Sequence, residues 1–512
     1  MPFVNFSIGV KQHSHTENHC GRTTVVLALA LAAAGMRFFH LGYQSFWFDE
    51  VFSFNMARRS LCSLVGEALR DAVHPPLFYL LLKPFVTVSD AEWVARLPSA
   101  LLGVIFVCLL YVAGSDMVNW RVGGVAALIA LLSPFHVYYS QETRMYALLM
   151  ATSLLATWLL YRAASADQPI YWLGYVMALF LGMMTHYMTL GLVAGHAGWI
   201  ISEHRRNGVA SPPLRRWLAA IGGAFALCLP WIVGIALFGQ SLQARAEGGS
   251  LPTALYSLIG AFMDFNVGYF QGLFREAEAA LVLTLSALLF AFFFWWRGVV
   301  YLKKECSSSG VFLLVIFSLI GSSLFSFLSA IFSEFHLPRY YAAAYPWAVM
   351  LLSAGVIATW EQRRPFAVGG GIIMFVVWCI ALKNYYFNPL YAREDWRSVA
   401  GFMHAQKRPD DLLVFNAPYE DIPFRHYFKD SFRSAGLPSI NRPSAALVDQ
   451  EARQIIQNNP HGRIWLILCY DHITDPENLV RSWFDTHLTL GARHSFPQIE
   501  LLLYRPSKGA SP

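Results

Sequence analysis

Charged side chains are scarce. Asp, Glu, Lys and Arg make up 14% of the 512 residues against 56% hydrophobic ones, and the mean hydropathy is +0.43. A soluble core could not hide that much apolar surface, and runs such as 311–332 reach membrane-spanning length, so the composition excludes a soluble globular chain and indicates a polytopic α-helical membrane protein. Cysteine is also sparse: seven residues, with Cys108, Cys228 and Cys379 inside apolar runs and no CxxC or Cys/His cluster, which argues against a disulfide framework or a structural zinc site. There is no Gly-rich phosphate loop, internal repeat or low-complexity tract. The net charge of +6 is too modest to indicate nucleic acid by itself, and no nucleic-acid partner is expected.

At about 20 apolar residues per crossing, helices are expected near 23–42, 93–113, 122–139, 145–162, 170–185, 188–202, 217–238, 277–297, 311–332, 341–360 and 366–387, about eleven in all. A signal peptide competes for 23–41, but the run is near the length of an uncleaved first helix, which is preferred. Residues 1–22 are then a polar cytoplasmic tail, expected to be disordered. Arg205, Arg206, Arg215 and Arg216 share one loop, Arg297, Lys303 and Lys304 another, and Arg363 with Arg364 a third. The positive-inside rule puts these loops in the cytoplasm. Trp47-Phe48-Asp49-Glu50, the 139–144 segment, Thr185-His186-Tyr187 and Pro338-Arg339-Tyr340-Tyr341 then share the outer face, in a cytoplasmic (inner) membrane. The chain from about 388 onward lies outside the cytoplasm.

The outer loop 43–92 carries its own helices. Leu61, Leu64, Val65, Ala68 and Leu69 form one apolar helical face, suited to lie in the interface. His74-Pro75-Pro76 breaks that helix, and the apolar run 77–88, with Lys83 inside it, is too short to span and reads as a second interfacial or re-entrant helix. From 388 the composition turns polar. Strands are expected at 411–415, 464–469 and 500–504 and helices at 396–406, 445–457 and 476–487, which gives a small C-terminal α/β domain. The expected organisation is therefore a tail at 1–22, a membrane catalytic domain at 23–387 and an extracytoplasmic domain at 388–512.

Adjacent carboxylates at a membrane surface are costly unless used. Asp49 and Glu50, near cations and aromatics, suit a transfer reaction whose donor is held in the bilayer. A carboxylate can take the proton from an incoming hydroxyl, outer arginines such as Arg144 and Arg339 can stabilise a departing lipid phosphate, and tyrosines and Trp47 offer stacking surfaces for a sugar ring. Each feature also has a plainer explanation. Asp49-Glu50 could merely end a helix, Glu142 and Arg144 could form a salt bridge, and Tyr138 and Tyr139 fit an aromatic belt. His74 could pack against the proline turn, Lys83 could snorkel, and His196, within a span, fits a hydrogen-bonded core position. A divalent metal ion held by Asp49, Glu50, Glu142 or His74 is conceivable, but the spacing does not demonstrate one.

In order along the chain stand WFDE, DAVHPPLFYLLLK, SPFHVYYSQETRMYALL, THY and LPRYY. This series resembles the GT-C glycosyltransferases of the dolichyl-phosphate-mannose protein mannosyltransferase type, including the bacterial aminoarabinose transferases, over about 23–390, and the C-terminal domain is similar to the extracytoplasmic domain of bacterial members. The resemblance implies inverting transfer of one sugar from a polyprenyl-phosphate-linked donor to an acceptor glycan, lipid or protein on the outer face. Asp49 matches the family's essential acid and Glu50 the second residue of its Asp-Glu pair. His74, Pro75 and Pro76 match its HPP turn, and Arg144 its arginine near the donor phosphate. Lys83, Glu142, Tyr146, His186, Tyr187, Arg339 and Tyr340 complete the expected donor and substrate site. The chain departs from the family in two places: its acid, Glu142, precedes Arg144 where the family often has one following, and His74 stands where aminoarabinose transferases often have lysine. The acceptor and any metal remain open. A multispan lipid or polysaccharide transporter is the competing class, disfavoured by the scarcity of charge inside the spans and by the absence of paired Gly/Pro-broken helices. A non-catalytic membrane scaffold is a third.

Overall fold

The computed structural model describes residues 19–207, 213–239, 249–268, 278–306, 310–332, 337–459 and 462–506. Most of the expected N-terminal tail lies outside these residues. The chain divides into two compact units, one comprising Met1–Leu41, Met56–Asp90 and Val94–Lys383, the other Gly42–Asn55, Ala91–Trp93 and Asn384–Pro512.

The first unit is helical. Among the described residues, eight helices are long and apolar enough to cross a membrane, including Glu92–Met117, Tyr146–Ala166, Val311–Ile331 and Arg364–Phe387. A ninth crossing arises if Trp120–Leu132 and Pro134–Ser140, bent by 63°, count as one span. The bend has a local cause: Pro134 lacks the N–H that would continue the ladder, and the Ser133 hydroxyl accepts from the His136 N–H to start the second piece. Two of the expected spans fall short of the eight. Pro169–Met183 has only 15 residues, and Thr189–Asn207 ends in His204, Arg205 and Arg206. The figure of about eleven therefore holds only if both of these also cross. The spacing of apolar runs did not foresee the helix Leu251–Val267.

The helices expected in the outer loop are present as Leu61–Asp71, capped by Ser60, and Leu77–Val88. Close helix approach in the bundle relies on glycine: a methyl at Gly355 would collide with the carbonyl of Phe294 on the neighbouring helix.

The second unit holds a five-stranded sheet, β1 (Leu412–Phe415), β2 (Arg433–Gly436), β3 (Ile464–Leu468), β4 (Leu488–Phe496) and β5 (Ile499–Pro506), in the order β2-β1-β3-β5-β4. β1 runs parallel to β2 and β3, while β5 is antiparallel to β3 and β4. Alternation along the strands builds two cores, one per face. Leu413, Phe415, Trp465, Ile467, Leu501 and Leu503 pack with the helix Trp396–Gln406, and Leu412, Val414, Leu466, Leu502 and Tyr504 pack with Ala445–Gln457 and Leu479–His487. Sheets covered on both faces read as continuous apolar runs, which is why β1, β3 and β5 were legible in sequence. The exposed β2 and the half-exposed β4 were not.

Candidate active site

In the second unit, Asp49 and Glu50 stand in the first turn of a helix, Phe48–Arg58, rather than at the end of one. A carboxylate there meets the positive end of the helix dipole. The two acids differ. Glu50 is fully buried and paired with Arg393 at 2.7 Å, whereas Asp49 is partly exposed. The Arg393 guanidinium also lies 5.9 Å from the centre of the Trp47 ring. Segment 42–55 joins this unit through specific bonds: Ser45 Oγ donates to the Glu394 carbonyl at 2.5 Å, the Phe46 N–H to the Tyr427 hydroxyl at 2.7 Å, and the Arg393 N–H to Gln44 Oε1 at 3.2 Å.

Two further carboxyls act electrostatically on the same neighbourhood. Glu394 is buried and accepts from the Tyr470 hydroxyl; Glu420 is 1% exposed and lies within reach of both Asp49 and Glu394. Burial, then the neighbouring Glu394, Asp49 and Asp421, push the Glu420 carboxyl well above its ordinary range. Burial likewise raises Glu394. Neither acid was singled out in sequence, because both sit in a polar stretch where carboxylates are ordinary.

In the first unit the proline turn, the 141–145 segment and the THY turn meet. The Arg144 side chain donates to His74 Nε2 at 2.8 Å, and the His74 ring lies 5.1 Å from that of His186. Burial, followed by the fields of Arg144, His186 and Arg339, holds the His74 imidazole well below its ordinary range, so it is neutral and accepts from the guanidinium. The Leu77 N–H donates to the Met184 carbonyl at 3.1 Å, tying the proline turn to the THY turn. Ser99 Oγ, at 3.1 Å from the Arg144 carbonyl, fixes the backbone from which the arginine projects.

His186 lies 6.2 Å from Tyr146 and 5.6 Å from Tyr340, ring centre to ring centre, and the Arg339 guanidinium stands 5.7 Å from Tyr146 and 6.0 Å from Tyr340. His74, Arg144, Tyr146, His186, Arg339 and Tyr340 thus form one group. Glu142 is buried and acts, with Arg339, on Tyr139. Tyr187 is engaged by Trp231 Nε1 at 3.3 Å. Lys83 is committed elsewhere: its ammonium donates to the Ala57 and Arg59 carbonyls at 3.2 and 2.5 Å, at the C-terminal end of Phe48–Arg58.

Asp264 was missed. It is buried near the end of Leu251–Val267 and acts on Tyr139 together with Glu142. The end of that helix is held by Gly268 at φ +92, where a Cβ would come within 2.6 Å of Pro134. An acid within the apolar run around Phe262 and Phe265 was the available signal. Among the described residues no group of three His, Cys, Asp or Glu side chains is placed to hold a metal ion.

Residues 73–233 match the sequence model of the dolichyl-phosphate-mannose-protein mannosyltransferase family. No curated protein sequence matches the chain. Among solved structures, apo ArnT from Cupriavidus metallidurans is similar at TM-score 0.60 and 12% identity, with 94% of this chain and 98% of that one covered. The chain has the GT-C fold. The same ArnT bound to undecaprenyl phosphate gives 0.58 at 12% identity over 97% and 100% of the two chains. The oligosaccharyltransferase of Archaeoglobus fulgidus gives 0.57 at 11%, covering 96% of this chain and 75% of that one. With its apolar spans and C-terminal sheet domain, the protein is a multi-pass membrane protein of the GT-C glycosyltransferase fold. At such low identity the GT-C likeness concerns the backbone path, and residue roles rest on this chain's own geometry.

Proposed function

We propose that the protein is a membrane glycosyltransferase that moves one sugar, with inversion, from a polyprenyl-phosphate-linked donor to an acceptor on the outer face of the cytoplasmic membrane. The observation that carries this reading is the group of buried Arg144, His74, His186 and Tyr146 with half-buried Arg339 and Tyr340, at helix ends and turns between apolar helices. A lipid-linked phosphate has its charge at the interface and its tail in the bilayer, and guanidinium groups at helix ends suit it. The neutral His74 orients Arg144 without competing for the phosphate as a second charge.

In the transfer, Asp49 removes the proton from the acceptor hydroxyl as its oxygen attacks the sugar carbon. Arg144 and Arg339 stabilise the charge that develops on the departing lipid phosphate. Glu50, held by Arg393, fixes the helix turn that presents Asp49, and the surrounding tyrosines provide faces for the sugar. Glu142 and Asp264 are suited to accept hydrogen bonds from sugar hydroxyls. The solved structure of ArnT with undecaprenyl phosphate supports a lipid of that class as the probe to try first.

Purified protein supplied with undecaprenyl-phosphate sugars is expected to release undecaprenyl phosphate in an acceptor-dependent way. Absence of release across donors and acceptors would remove the reading. Mass spectrometry of glycoconjugates lost on gene deletion would identify the acceptor class. Orientation is tested separately: a reporter active only outside the cytoplasm is expected to signal when fused after Asn388 and to stay silent near Arg206. The opposite pattern would place Asp49 in the cytoplasm.

A further inference from the structure

The second unit stores more acid than its ion pairs require. Glu50 and Glu394 both feel Arg393, whose guanidinium is paired with Glu50 at 2.7 Å, while Glu420 feels Glu394, Asp49 and Asp421 and, among the described residues, no cation. Glu420 is the most exposed to the consequence. It ends the turn Pro418–Glu420, is 1% exposed, and neither carboxyl oxygen has a hydrogen-bond partner within the protein. Glu394 Oε1 accepts from the Tyr470 hydroxyl while its Oε2 has none.

The groups facing Glu420 do not relieve it. From the 42–55 segment comes Asp49, from the stretch before Trp396 comes Glu394, and the helix that follows it brings Asp421. Tyr419, Tyr470 and Cys469 surround the same acids and are themselves raised, first by burial and then by Glu420 or Glu394. An ionised carboxylate in such a place is strongly disfavoured, and the group neutralises instead. A neutral carboxylic acid gains one O–H donor, and the neighbouring Asp49 and Glu394 carboxyls offer acceptor oxygens.

We propose that Glu420 is a positioning residue for the transfer, buried as a neutral carboxylic acid whose O–H donates into the Asp49–Glu394 cluster and orients the Asp49 carboxylate toward the acceptor hydroxyl. This rests on the glycosyl-transfer reading for its effect on rate, but not for the proton itself. Glu394, fixed by Tyr470, is the second member of the cluster and keeps the donated hydrogen bond within it. Because Glu420 acts through Asp49, its loss changes turnover and leaves donor affinity alone. Raising the pH until Glu420 ionises replaces a donor by a repelling charge, so the alkaline limb of the rate profile belongs to it.

The test uses the full-length protein and two readouts. By infrared spectroscopy at neutral pH, wild type is expected to show a protonated-carboxyl carbonyl stretch with a component that is lost in Glu420→Gln and kept in Asp49→Asn. An unchanged band in Glu420→Gln would overturn the proposal whether or not a donor has been found. In transfer assays, Glu420→Gln, which keeps a donor, is expected to hold kcat within about threefold of wild type and to lose the alkaline decline. Glu420→Ala, which has no donor, is expected to lower kcat about ten- to a hundredfold with donor KM unchanged. If Glu420→Gln is as inactive as Asp49→Asn at every pH, the ionised carboxylate is required and the assignment is wrong. If Glu420→Ala alters stability alone, the residue is structural and the proposal again fails.

Discussion

The two units treat charge in different ways. In the first, buried Arg144 and half-buried Arg339 share a neighbourhood with Glu142, Asp264 and a set of aromatic rings, so the signs balance. In the second, Glu50 and Glu394 feel Arg393, while Glu420, among the described residues, feels only the acids Glu394, Asp49 and Asp421. A balanced group can hold fixed charges in a low-dielectric place and receive an ionic ligand without changing protonation. In an acid-rich group, burial and neighbouring carboxyls raise Glu420 and Glu394 and favour their protonated forms. On the proposed function, the difference suits phosphate recognition in the first unit and proton transfer in the second.

The largest expected effect breaks the second half of that comparison. Asp49→Asn keeps the shape but removes the basic charge, and is expected to lower kcat by about 10²–10⁴ with expression and membrane insertion intact. Near-normal turnover would take Asp49 out of the reaction. Glu50→Gln sharpens the contrast between the adjacent acids. It removes the charge that pairs with the buried Arg393 and is expected to cost about 3–5 kcal/mol of stability, seen as a lower Tm, while the folded fraction keeps a kcat well above that of Asp49→Asn. Equal loss of kcat in both variants would give Glu50 a direct role.

In the first unit, Arg144→Ala is expected to cost about 3–4 kcal/mol of transition-state stabilisation, the size of one lost oxyanion-type contact. Arg144→Lys is expected to cost less, keeping the charge but losing the forked geometry. Wild-type donor kinetics in both Arg144→Ala and Arg339→Ala would move the phosphate site elsewhere. The smallest effect concerns Lys83, whose ammonium bonds two carbonyls at a helix end. Lys83→Ala is expected to lower stability by about 1 kcal/mol and leave donor KM alone. A large rise in donor KM would return Lys83 to the phosphate site.

Sequence made much of this visible, for identifiable reasons. The membrane helices announce themselves by apolar length, and the helices Leu61–Asp71 and Leu77–Val88 by periodicity and the proline break between them. Leu251–Val267 escaped because an isolated Asp264 and the long connections around it obscured its apolar face. The side-chain group around Arg144 was foreseeable from motif order, though not the 2.8 Å bond that makes His74 an acceptor. Asp49 was visible as a carboxylate at a membrane surface. Its acidic neighbours were not, because Glu394 and Glu420 are hundreds of residues away along the chain and only the fold buries them. Sequence could likewise not tell that Gly42–Asn55 packs with Asn384–Pro512, since the bonds and the Glu50–Arg393 ion pair that join them link residues hundreds of positions apart.

The division of labour is tested most directly by measuring undecaprenyl phosphate binding to purified wild type, Asp49→Asn and Arg144→Ala beside their turnover. The account predicts wild-type affinity without turnover in Asp49→Asn, and in Arg144→Ala an affinity loss that accompanies the loss of rate. Lost affinity in Asp49→Asn with unchanged affinity in Arg144→Ala would contradict it.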